Sequence, residues 1–245
     1  MMKTFKALSA LLCYPSNDLK AATGEIRTVL EAEKILSDGA RAALEPLLIE
    51  LETLDIYELQ ENFVLLFDRT RTLSLNLFEH VHGDSRERGP AMVDLLETYR
   101  AGGFDLVSTE LPDHLPILLE FVSGRPMDEA KTLLDDAGHI VAALADRLER
   151  RGSTYAAVLN ALVEFSEVKK SDELVQQLLS MKEDDPDDLD ALDEIWEEAE
   201  VTFGPDPNAG CPASRDLLAA MDPGQPKAKP QAQPYSQPDA AVAQE

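Results

Sequence analysis

Cysteine is nearly absent from this chain of 245 residues. The two present, Cys13 and Cys211, are far apart and in neither a CxxC nor a CxxH arrangement. That excludes a disulfide framework and a cysteine zinc site, and a reducing cytosol fits best. Basic residues are also scarce: 22 Lys and Arg stand against 47 Asp and Glu, for a formal charge of −25. Nucleic-acid phosphate and anionic membrane surfaces would repel such a chain, so its partners are expected to be neutral or basic. No stretch approaches the roughly 20 apolar residues of a membrane span, which predicts a soluble protein without membrane insertion. The opening Met1 to Lys6, followed by Ala7 to Cys13, superficially resembles a signal peptide. Its apolar run is too brief, and Leu12 occupies the place where a lipoprotein signal needs a small residue. There is no internal repeat, no Gly-rich phosphate loop and no long alternating run that would build a sheet.

What remains is helical periodicity. Phe5, Leu8 and Leu12 fall at offsets 0, 3 and 7 of a first helix, within which Cys13 reads as a small core residue. The spacing of Leu19, Ile26, Val29 and Leu30 predicts a helix over 18–36. Ala43, Leu44, Leu47, Leu48, Leu51 and Leu54 predict another over 39–54, which Pro46 should start late or kink. Met127 to Arg151 reads as one further helix stopped by Gly152, and Tyr155 to Phe165 as the next, ending near Lys169-Lys170. Ser171-Asp172-Glu173 opens a short helix through Leu174, Val175, Leu178 and Leu179. Eleven acidic residues crowd Glu183 to Glu200, where Leu189, Leu192, Ile195 and Trp196 leave a docked amphipathic segment and disorder both open. From Pro223 to Glu245 five prolines and five glutamines leave almost nothing to bury. The expected architecture is all-α: one compact helical bundle over 1–203 with a disordered acidic, Pro-rich tail over 204–245.

Residues of distinctive chemistry concentrate between Glu61 and Phe121, which hold three of the four histidines and five of the eight phenylalanines. Leu59, Phe63, Leu66 and Phe67 form one apolar helical stripe ending at Asp68-Arg69. Leu73, Leu75 and Leu77 alternate with Ser74 and Asn76 as a strand would, but with no pairing partner in view a helix is favoured. Gly89-Pro90 starts a helix carrying Met92, Leu95, Leu96 and Tyr99, which Gly102-Gly103 ends. Asp113 is a natural N-cap for a helix with Pro116 in its first turn and Leu115, Leu118, Leu119 and Val122 on its buried stripe. His114 then takes the first helical position, where the dipole disfavours its protonated form.

Several of these stretches match a known pattern. Phe67-Asp68-Arg69, Leu77-Phe78-Glu79-His80-Val81-His82-Gly83, Ser85-Arg86, Arg88-Gly89 and Glu110-Leu-Pro-Asp-His-Leu-Pro116 resemble the NarJ family, helped by Leu12-Cys13-Tyr14-Pro15 and by Ala191 to Glu198. These are the dedicated assembly chaperones of respiratory, molybdenum-containing nitrate reductase, within the wider TorD-like family of redox-enzyme maturation chaperones. The resemblance runs from about residue 11 to residue 203. It implies a compact all-α domain and no catalytic centre. It also implies a cytoplasmic chaperone that binds the apo catalytic (alpha) subunit of nitrate reductase, including its N-terminal peptide, and supports molybdenum cofactor insertion before membrane assembly. Molybdenum cofactor biosynthesis proteins are further candidate partners. The matching Asp-His, here Asp113-His114, lies in the region such chaperones use for client-peptide recognition.

An apolar groove with an acidic rim suits a basic, apolar client segment. Phe63, Phe67 and Phe78 are the expected walls, and Glu61, Asp68, Glu79, Asp113 and Glu120 the rim, with His114 beside them; the same phenylalanines would also suit a core. No cofactor, metal or catalytic residue is expected. The alternative is a metal-binding enzyme using His80 and His82, although residues at i and i+2 point in different directions on a helix and a closed site needs further ligands. A generic acidic regulator acting through its tail is a third possibility. Arg69, Arg71, Arg86 and Arg88 are expected to pair with neighbouring acids, or else to meet an acidic client surface or the cofactor's phosphate.

Overall fold

The protein is seen here as a computed structural model that describes residues 1–83, 85–107 and 109–181. Its first helix, α1 (Lys3–Leu11), begins without a capping side chain of its own. Glu33, the last residue of α2 (Asn17–Glu33), supplies one instead. Its carboxylate accepts the backbone N–H groups of Lys3 and Thr4 at 2.9 and 2.8 Å and the Thr4 hydroxyl at 2.8 Å. Free N–H groups at a helix start need such acceptors, and a negative charge there also suits the dipole. Ser16 caps α2 in the ordinary local way, accepting from Leu19.

Helix α3 (Asp38–Thr53) runs through Pro46 rather than starting after it. Proline deprives the carbonyl four residues earlier of its partner, and both Pro46 and Ala42 lie on the exposed face, where water can serve that carbonyl. Next come α4 (Ile56–Phe63), a π-helical turn over Val64–Asp68 and a 3₁₀ turn over Arg71–Leu73. The rest of the described chain forms α5 (Leu77–His82), α6 (Arg88–Ala101), α7 (Leu115–Ser123), α8 (Met127–Asp136), α9 (Gly138–Arg150), α10 (Ala156–Val163) and α11 (Glu173–Ser180). Among the described residues there is no strand, only an isolated bridge between Asn76 and His114. This is the all-α architecture expected.

The core is organised around α7 and α9. In α7 every residue but Glu120 is buried, which is the composition of a helix enclosed on all sides. It packs on α1, α1 packs on α2, and α9 contacts both α10 and α11. A buried hydrogen bond from the Ser9 hydroxyl to the Pro116 carbonyl, 2.7 Å, ties α1 to the first turn of α7. Each enclosed leucine contributes about 1.5–3 kcal/mol relative to solvent exposure.

Three expected boundaries differ. The helix read over 127–151 is two helices, broken at Ala137. The chain leaving α10 crosses this break, and Gly138 makes room for it: a Cβ there would meet Ser166 Cβ and Val168 Cγ2 at 2.9 Å. That chain has already left the helical path, since α10 ends at Val163 and not near Lys169-Lys170. Lys170 reaches back instead to Glu149 of α9, with Nζ 2.6 Å from Oε2. Finally, Cys13 is exposed, not a core residue. Helix α1 stops at Leu11, so Cys13 lies beyond its end, with the thiol turned back to the Ser9 carbonyl at 3.4 Å.

Among the described residues no helix is long and apolar enough to cross a membrane. The acidic segment 183–200, the tail 204–245 and Cys211 lie outside the described residues.

Candidate functional site

The two most distinctive stretches of sequence, 74–82 and 110–116, meet. Leu77 N donates to the Asp113 carbonyl at 3.1 Å and Leu115 N to the Leu75 carbonyl at 2.9 Å, flanking the Asn76–His114 bridge. Leu73, Leu75 and Leu77 are all buried. Leu73 closes the 3₁₀ turn and Leu77 opens α5, so the helix favoured from sequence is broken only over 74–76, where the backbone is extended and bridges to His114.

Asp113 corrects a second expectation. It does not cap α7, which lacks a side-chain cap. Fully buried, it caps α5, its Oδ2 accepting the Phe78 N–H at 2.9 Å. Burial pushes its carboxyl above the usual range, while that N–H and the charge of Arg88 pull the other way. Tyr99, also fully buried, donates its hydroxyl to the Pro112 carbonyl at 2.8 Å. Its own ionisation is pushed well up, by burial first and by Asp113 second.

The histidines of α5 serve this same junction. His80 Nε2 lies 2.8 Å from the Ser74 carbonyl, so that nitrogen carries the proton. Burial, aided by the charge of Arg147, lowers the ring's pKa against the pull of the Ser74 carbonyl and Glu79. The Ser74 hydroxyl donates to Glu79 Oε2, and the His82 ring stands edge-on to Phe78 with centroids 5.6 Å apart. Among the described residues no group of three or more His, Cys, Asp or Glu is arranged to hold a metal ion. The junction is structural chemistry: Asp113, Tyr99 and His80 each complete the backbone of a neighbour.

Open surface lies elsewhere. A cleft of about 440 Å³ is bounded by the end of α1, residues 104–107 with Glu110, and the first turns of α7. Phe104, Leu106, Val107 and Ile117 give it apolar walls, and Asp105, Glu110 and Glu120 line it with carboxylates. His114 contributes a ring whose pKa burial lowers, against the opposing pull of Glu110 and Asp68. Asp68 in turn is raised by burial and by the like charge of Glu110. Cys13 is on the wall too, its thiol pushed up by desolvation and then by Glu120 and Glu110. Tyr14 completes the cleft and also belongs to an adjoining notch of about 390 Å³, made by Gln60, Glu61, Val64, Leu65 and Arg69.

The residues expected at a groove are thus divided among separate places. His114 and Glu120 line the cleft, with Asp68 beside it and Glu61 in the notch. Phe63 and Phe67 are not open walls. Both are buried, their rings 4.8 Å apart and each meeting Tyr155 edge-on. Phe63 also backs Tyr14, at 5.8 Å and nearly perpendicular. Phe78 and Glu79 belong to the α5 junction, and Glu79 borders a third depression of about 320 Å³ with Arg71, His80, His82 and Arg147. Arg147, buried, donates to the carbonyls of Thr72, at 2.7 Å, and Leu178. Arg69, Arg86 and Arg88 form no ion pair among the described residues.

Sequence reasoning missed Tyr14, Phe104, Asp105, Leu106, Val107, Glu110 and Ile117. One signal was available: Phe104, Leu106 and Val107 lie on no helical stripe, following the Gly102-Gly103 stop; in the structure Val107 is 93% exposed.

Comparison with known proteins agrees with this fold. A crystal structure of a protein described as a redox enzyme maturation protein from Archaeoglobus fulgidus superposes with a TM-score of 0.50 at 24% identity, over 67% of this chain and 93% of that one; this likeness concerns the fold alone. The nitrate reductase molybdenum cofactor assembly chaperone NarJ of Escherichia coli (strain K12) is 41% identical over 204 residues, 83% of this chain and 86% of the relative. The sequence profile of the nitrate reductase delta subunit family matches residues 33–161. On that match and that relative together, the chain belongs to the nitrate reductase delta subunit family, the family of the nitrate reductase molybdenum cofactor assembly chaperones.

Proposed function

We propose that this protein is a cytoplasmic chaperone that grips the immature catalytic subunit of respiratory nitrate reductase, including its N-terminal segment, and holds it until the molybdenum cofactor is inserted. On this reading it binds and releases, and transforms no substrate. The observation that carries the reading is the cleft between α1, residues 104–107 with Glu110, and α7. Apolar walls bear three carboxylates, and the one titratable base, His114, is held toward its neutral form. A basic and apolar peptide fits such a surface, because its side chains leave water against the walls while its charges meet the rim. The strong negative charge of the whole chain steers the same class of partner.

Co-purification tests the reading. From cells unable to make the molybdenum cofactor, the tagged protein should bring down the nitrate reductase catalytic subunit at near equal stoichiometry, and from cells loaded with cofactor much less. Recovery of none in either strain would overturn it.

A further inference from the structure

The cleft and the notch have one wall in common, the Tyr14 ring, which is 51% exposed and belongs to both. The ring is held from below. Phe63 meets it edge-on and is itself locked against Phe67 and Tyr155. Pro15, which follows it, accepts a hydrogen bond from Gln60 Nε2 at 2.9 Å, and Gln60 is a notch residue. Tyr14 is therefore a rigid aromatic ridge between two depressions, of the low-entropy kind that anchors binding surfaces. Their charges differ. The cleft presents Asp105, Glu110 and Glu120, the last paired with Lys6 from α1 at 3.3 Å, and no lysine or arginine lines it. The notch has one group of each sign, Glu61 and Arg69, and Arg69 forms no ion pair among the described residues. Its floor, Val64 and Leu65, is the start of the π-helical turn, a geometry that recurs at functional sites.

The geometry points to a single binding track that crosses Tyr14, whose occupant is a client segment of unequal ends: basic residues in the cleft, an apolar side chain on the Tyr14 ring, and a carboxylate at Arg69 in the notch. This deepens the proposed function and rests on it. Tyr14 sets affinity for the whole segment, and Arg69 sets its direction and selects against segments that are basic throughout.

The test uses the full chain and the N-terminal peptide of the nitrate reductase catalytic subunit, with each peptide position replaced in turn by glutamate and by lysine, read by isothermal titration. For the wild-type chaperone, glutamate should be favoured over lysine at one end of the peptide and lysine over glutamate at the other. Arg69→Ala should erase the first preference and leave the second. Tyr14→Ala should weaken every peptide about tenfold or more, and Tyr14→Phe, which keeps the ring, less than threefold. A scan unchanged by Arg69→Ala, or a Tyr14→Ala variant that binds as the wild type does, overturns the track. Those outcomes leave the proposed function standing as long as the unaltered peptide binds; wild-type protein that binds neither peptide nor intact subunit would sink both.

Discussion

Asp113 caps a helix that begins 36 residues before it in the chain: its buried Oδ2 accepts the N–H of Phe78, 2.9 Å away, in the first turn of α5. The backbone around it pairs at Leu75–Leu115 and Leu77–Asp113, so this carboxylate and two backbone hydrogen bonds together join segments that are distant in sequence.

Removing this cap should cost stability. Asp113→Ala leaves the Phe78 N–H buried without an acceptor, a loss of about 1–3 kcal/mol, seen as a lower urea midpoint with little change in slope. Asp113→Asn keeps an acceptor and should lose less. The pH dependence has a defined sign. Because burial raises the folded-state pKa of Asp113, the folded chain holds this proton more tightly than the unfolded chain. The group's contribution therefore declines as pH rises from the usual carboxylate pKa through the raised value. The asparagine variant should lack that decline.

Glu33 titrates in the opposite sense. Partial burial raises its pKa, but the hydrogen bonds from Thr4 and Lys3 outweigh that and hold it below the usual value. Its contribution is present above the unfolded-state pKa and is lost as pH falls through the lowered folded value. Glu33→Gln should cost about 1 kcal/mol or less at neutral pH, since the site is partly solvated. In thermal melts the deficit should shrink toward zero on acidification.

Gly138 is held to its size by what crosses it. Gly138→Ala would bring a Cβ to 2.9 Å from Ser166 Cβ and Val168 Cγ2, and overpacking of this kind costs about 1–3 kcal/mol. Val168→Ala in the same chain should recover part of that loss, a non-additivity that a double-mutant cycle in urea would measure. Simple additivity would refute the contact.

These three sites show what a sequence reveals and what it withholds. Helical class was legible because burial repeats at helical spacing, as Leu44, Leu47, Leu48 and Leu51 do along α3. So was the Leu59, Phe63 and Phe67 stripe, although spacing alone does not say whether a stripe faces a core or a groove. The extended break at 74–76, between the helical turns that hold Leu73 and Leu77, was not legible because its partner lies almost forty residues onward. Asp113 looked like a local cap because local caps are the common case, and only the fold assigns it to another helix. The candidate cleft was least legible. Its walls come from residues 9–14, 104–107, 110 and 114–120, and those of the first and last stretches become neighbours only once α1 packs on α7.

Whether this acidic, apolar cleft grips a basic, apolar client segment is decided by titrating the client's N-terminal peptide at two salt concentrations. Wild-type affinity should fall as salt rises. A variant carrying Asp105→Asn and Glu110→Gln together should bind about threefold to tenfold more weakly at low salt, as expected for two partly exposed charges, and its affinity should depend less on salt. Equal affinities and equal salt dependence for the two proteins would contradict the claim.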